Sequence, residues 1–143
     1  HLLDESKKRL KILSLTDNQG WILAVGNDVG YEHIFAQQLM NYGGKGDLVI
    51  AISGSGNSPN VLTAVDWANR NGLTTLGCTG FTGGKLQTLA HHNFHVPLDD
   101  MGIVTAALGF IASSAAKHSD ELAAKEQAAK DGEIIDTTGE VVG

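Results

Sequence analysis

The stretch that most constrains this chain is residues 46–60, GDLVIAISGSGNSPN. Leu48-Val49-Ile50-Ala51-Ile52 has the length and β-branched content of a strand buried on both faces, and it stops at a Ser/Gly loop. That loop opens a helix. Ser58 suits the N-cap and Pro59 the first turn, where a missing N–H costs nothing. Val61, Leu62, Val65 and Ala68 then follow at helical spacing until Gly72. The order is therefore strand, glycine loop, helix.

A helix N-terminus presents unpaired N–H groups and the positive end of a dipole, so an anion is stabilised there without a formal cation. The residues fit a phosphate monoester. Gly54 and Gly56 allow close backbone approach, Ser53, Ser55 and Ser58 bring hydroxyl donors to one small volume, and Asn57 completes the loop. Other glycine motifs fail on particular residues. A P-loop needs a lysine after its second glycine, and none lies between Lys45 and Lys85. The dinucleotide fingerprint needs Gly or Ala where Pro59 stands and an acid where Gly77-Cys78-Thr79 stands. A nucleophile elbow would need glycine in place of Ser53.

With 143 residues, 42% of them hydrophobic, the chain is long enough for one domain with a real core and too short for two. Cys78 is the lone cysteine, so no intrachain disulfide forms, which suits a reducing, cytoplasmic setting. A net charge of −6 opposes binding to nucleic acid or to an anionic membrane surface, and the basic cluster Lys7, Lys8, Arg9, Lys11 reads as a solvated face. The longest apolar run, 103–112, is too short to span a membrane.

Along the chain, residues 11–15, KILSL, read as a short strand ending at Thr16-Asp17-Asn18. In open parallel sheets ligands bind beyond the carboxyl ends of strands, so Thr16 and Asp17 fall on the same rim as Ser53–Ser58; the alternative is a turn with a helix cap. Residues 21–25 form a short helix and 31–42 an amphipathic one closed by Gly43-Gly44. A third strand covers 73–77, a second glycine-rich rim loop 78–84, a short helix begins near Lys85, and a fourth strand covers 91–98. His91, His92 and His95 invite a metal reading but lack a carboxylate or cysteine at ligand spacing, so no metal is expected. An apolar helix over 103–112, able to form a subunit contact, precedes a polar helix over 119–131 and a tail. Strands alternating with helices predict a parallel sheet with helices on both faces.

At GDLVIAISGSGNSPNV, followed by TTLGCTGFTGGKL and preceded by GNDVGYEHIFAQQL, the chain resembles the sugar isomerase (SIS) domain family, most of all its phosphoheptose isomerase branch. The resemblance runs from about Lys11 to Leu98. It implies an α/β fold, a three-layer α/β/α sandwich with a Rossmann-like parallel sheet, lacking the family's first strand. Residues 1–118 would form the SIS domain and 119–143 a polar helix and tail. The resemblance implies that Ser53, Ser55 and Ser58 hold the phosphate of a sugar phosphate such as sedoheptulose 7-phosphate and that Asp17 lines the sugar site. A homo-oligomer, dimer or tetramer, is implied too, with no cofactor.

The chain departs from the family where the reaction needs its acid and base. No Gly-Asn-Gly-Gly-Ser segment occurs, and the Gln-Glu-x-His pattern of the last helix is replaced by Val104-Thr105-Ala106-Ala107. The chain reads as a fragment, an altered version or a divergent member. Its catalytic residues stay unassigned, and three readings stand open. The first is a sugar-phosphate-binding domain with little turnover. The second is an isomerase whose acid and base come from another subunit or a missing segment, with Glu32, His33 or His118 as candidates in this chain. The third is a protein-interaction module like the replication-initiator-binding relatives.

Overall fold

The structure, a computed structural model, describes residues 11–100 together with Gly102 and Ala106. These lie almost wholly in one compact unit, Leu13–Leu108; Lys11 and Ile12 belong to a second, His1–Ile12 with Gly109–Gly143, whose remainder lies outside the described residues. The helices expected over 103–112 and 119–131 and the tail that follows fall outside them as well, apart from Ala106, which is helical.

The described elements are α1 (Gln19–Asp28), a 3₁₀ turn (Tyr31–His33), α2 (Ala36–Tyr42), β1 (Leu48–Ser53), α3 (Pro59–Arg70), β2 (Thr74–Thr79), α4 (Leu86–Leu89) and β3 (His92–His95). The strands form one parallel three-stranded sheet in the order β1-β2-β3. Parallel neighbours need a crossover, which α3 and α4 supply. Both pack on the face of the sheet that carries Ala51, where Val65, Leu86 and Ala90 form one core cluster. A second cluster joins Leu39 of α2 to Ala64, Ala68 and Leu73, with Leu15, Phe35, Val49 and Trp67 against it.

Helix α3 shows how sequence sets a boundary. Its apolar positions put Ala64, Val65 and Ala68 inside, and it ends in a Schellman motif. Gly72 takes φ 77°, its N–H bonds the Asn69 carbonyl, and the Leu73 N–H bonds the Ala68 carbonyl, while Leu73 enters the core beside Ala68. The chain then runs straight into β2.

Several expectations are corrected. Residues 11–14 have no secondary structure and Leu15 lies in a turn, because a strand exists only through bonds to a neighbour and this segment pairs with no strand among the described residues. Strand β1 is covered on one face only: Ala51 and Ser53 are buried, whereas Ile50, on the other face, is 53% exposed. Helix α1 is longer than 21–25, and the helix expected over 31–42 is divided into the 3₁₀ turn and α2. Strand β2 reaches Thr79, two residues beyond the expected Gly77, and β3 is shorter than 91–98.

Burial pushes the Cys78 thiol above its ordinary pKa, consistent with a core role for this residue. Among the described residues no helix is long and apolar enough to cross a membrane.

Leu86 is fully buried between α3 and the sheet. Leu86→Ala should lower unfolding stability by about 2–5 kcal/mol, read as a drop in the urea midpoint with little change in slope.

Candidate functional site

Ser53 is the last residue of β1, and in its register row it faces Thr79 of β2, which in turn faces His95 of β3. This row crosses the carboxyl ends of the strands. Ser53 is buried, and its Oγ lies 3.0 Å from the Ser58 Oγ across the loop. Ser58 does stand at the N-cap position of α3, but its side chain caps nothing; it is turned to Ser53 instead. The first turn of α3 therefore keeps free donors.

The N–H groups of Ser55, Ser58 and Asn60 have no partner among the described residues. The Ser55 Oγ accepts from the Asn57 N–H at 3.2 Å, which holds the turn tight. Asn60 is buried; its Oδ1 accepts from the Val61 N–H at 2.9 Å, and its Nδ2 makes no hydrogen bond among the described residues. The loop thus offers backbone amides, hydroxyls and one carboxamide and holds no carboxylate, and such a set suits an anion.

The second glycine loop fixes this geometry. The Gly80 N–H donates to the Gly54 carbonyl at 2.9 Å, the Leu86 N–H to the Gly56 carbonyl at 2.9 Å, and the Lys85 N–H to the Asn57 Oδ1 at 3.1 Å. Gly56 and Gly84 both take positive φ, 66° and 54°. A Cβ at Gly56 would collide with the Gly83 carbonyl, and one at Gly84 with the Ser55 carbonyl. Only glycine fits at this contact. Sequence reading placed the second loop on the rim but missed the clasp; its signal was the Gly83-Gly84 pair opposite a glycine in the first loop.

Thr16 shares a 2.7 Å hydroxyl contact with Ser14, and Asp17 lines a groove with Ser14, Asn18, Gln19, Gln38 and Tyr42. No hydrogen bond among the described residues joins either to Ser53–Ser58. The Glu32 Oε1 lies 3.8 Å from the His33 Nε2 in the 3₁₀ turn, and neither side chain makes a hydrogen bond to the loop; His118 is outside the described residues.

His91, just before β3, and His95 at its end both bond to β2. The His91 Nδ1 accepts from the Thr75 N–H at 3.2 Å, and the His95 Nδ1 lies 3.0 Å from the Thr79 Oγ1. Thr75 and Thr79 are fully buried; the His95 imidazole partners the Thr79 hydroxyl, while the Thr75 hydroxyl also donates to the Asn69 Oδ1 at 2.7 Å and accepts from the His91 N–H at 3.0 Å.

Comparison with known proteins agrees with the strand, loop and helix order. The SIS domain family model matches residues 22–119. The phosphoheptose isomerase of Aneurinibacillus thermoaerophilus is 43% identical over 88 residues, covering 62% of this chain and 44% of that protein. That of Maridesulfovibrio salexigens is 35% identical over 111 residues, covering 73% and 54%. A phosphoheptose isomerase structure from Francisella tularensis superposes with a TM-score of 0.74 at 30% identity, covering 76% of this chain and 59% of that one. One from Neisseria gonorrhoeae gives a TM-score of 0.65 at 32% identity, covering 66% and 53%. The chain spans about half the length of the curated relatives it matches.

The clasp can be tested apart from backbone strain. Gly46 also has positive φ, 93°, but a Cβ there meets nothing within 4 Å. Gly46→Ala should cost about 1 kcal/mol and leave anion binding intact. Gly56→Ala should cost more and disrupt the loop, read as loss of the wild-type amide chemical shifts at residues 53–60 in NMR.

Proposed function

Because the chain belongs to the SIS domain family, we propose that it binds a sugar phosphate, with the phosphate monoester seated on Ser53, Gly54, Ser55, Gly56, Asn57 and Ser58. The observation that carries this reading is the clasped loop, with its unpartnered N–H groups at Ser55, Ser58 and Asn60 and its hydroxyl pair Ser53–Ser58. Such donors are aimed before the ligand arrives, so little ordering cost opposes binding. Thr16 and Asp17 contact the sugar.

The ligand is a ketose or aldose phosphate such as sedoheptulose 7-phosphate. Support comes from the relatives named phosphoheptose isomerase. The chain acts in the cytoplasm as a homo-oligomer, a setting that the single buried cysteine suits. Isomerisation would move a proton between adjacent carbons through an enediol, and that needs an acid and a base beside the sugar. The described loop holds neither. Turnover therefore requires groups outside the loop, from Glu32, His33 or His118 of this chain, from another subunit or from a missing segment, and the binding function does not depend on them.

Calorimetric titration of sedoheptulose 7-phosphate tests the reading. Ser55→Ala and Ser58→Ala should each weaken binding by about 1 kcal/mol, roughly fivefold, and unchanged affinity in both would remove the loop as the phosphate site. NMR of the same samples for aldose product separates a receptor from an isomerase.

A further inference from the structure

Two carboxamides stand at the phosphate loop, and their hydrogen bonds divide them. Asn57 is taken up by the clasp. Its N–H donates to the Ser55 Oγ at 3.2 Å, its Nδ2 to the Ser55 carbonyl at 3.1 Å, and its Oδ1 accepts from the Lys85 N–H at 3.1 Å. That leaves one Nδ2 hydrogen for a ligand.

Asn60 is the reverse case. It is the second residue of the twelve-residue helix α3 and only 6% exposed. Its Oδ1 accepts from the Val61 N–H at 2.9 Å, which settles the orientation of the amide, because only the oxygen can accept. Both hydrogens of Nδ2 are left without an acceptor among the described residues. Buried polar groups are paired as a rule, so a donor left over at this depth asks for a partner from outside the chain.

Its position says which partner. The first intrahelical bond of α3 runs from the Leu62 N–H to the Ser58 carbonyl, so the Val61 N–H is one of the orphan donors at the N-terminal end of the helix. The carboxamide that accepts it stands at that end, with the unpartnered N–H groups of Ser58 and of Asn60 itself. Asn60 thus takes up one backbone donor and supplies two side-chain donors in its place. Donors at the positive end of a helix suit a group that only accepts and carries negative charge, and they suit an ammonium badly.

We propose that Asn60 is a further ligand-contacting residue of this site, its Nδ2 donating to an oxygen of the phosphate monoester. The inference rests on the sugar-phosphate reading and adds to it a side chain beyond the Ser53–Ser58 seat.

The test is an NMR titration of the full chain with inorganic phosphate, read at the amides of residues 53–60, for the parent chain, Asn60→Asp and Thr63→Asp. Aspartate has the shape of asparagine, keeps an oxygen for the Val61 N–H and is favoured in the first turn of a helix, so the urea midpoint should hold. It replaces the Nδ2 donor with a charged acceptor, and phosphate affinity should fall roughly tenfold or more. Thr63→Asp sets the same charge one turn further along α3 and leaves the donor in place, so affinity should fall less than about threefold. Equal losses in the two variants would show that charge alone acts, and would overturn the proposal. So would an Asn60→Asp chain that no longer folds, since the carboxamide would then serve the fold. If phosphate shifts no amide of residues 53–60 in the parent chain, the phosphate reading of the loop fails and the assignment of Asn60 fails with it.

Discussion

The site depends on the clasp between two loops. Three hydrogen bonds tie Gly54, Gly56 and Asn57 to Gly80, Leu86 and Lys85, and they require backbones so close that side chains are excluded at Gly56 and Gly84. A glycine-rich loop left alone would be entropically expensive to order. Here that cost is met during folding, because the second loop is anchored by β2 and by Leu86 in the core. The same residue that packs α4 on the sheet donates its N–H to Gly56, so core packing and the geometry of the glycine loop are coupled at one position.

The sheet shows how one-sided cover follows from topology. The crossovers from β1 to β2 and from β2 to β3 advance in one direction, and right-handed connections then place α3 and α4 on the same face. Ala51, Gly77 and Thr75 face these helices, and small residues there let them approach closely; at Gly77 a Cβ would crowd Ala90 and Leu86. On the other face Leu48, Ile50 and Ile52 remain exposed. Parallel sheets in compact folds are covered on both faces. The strong apolarity of β1 is a record of that requirement even though no described element meets it.

Much of the arrangement was legible in the residues. The run 48–52, the loop glycines and serines, Pro59 and the helical spacing to Gly72 agree with one another, and they located β1, the loop and α3 to within a residue or so. Residues 11–15 misled because a strand is a relation between segments, and nothing in KILSL says whether a neighbour is at hand. Ser58 misled in a smaller way. Its type and position mark an N-cap, but whether a hydroxyl turns to its own helix or to Ser53 depends on where β1 ends in space.

The sequence by itself determined the local order of strand, glycine loop and helix, and the chemistry offered there, because those follow from short-range propensity and residue type. Tertiary structure alone decided which donors stay free, that Gly56 must meet Gly83 and Gly84, that Asp17 shares a groove with the buried Gln38, and that no described element covers the Ile50 face of the sheet. Each of these is a contact between segments distant in the chain. Such contacts are set by how elements pack, and no local pattern encodes them.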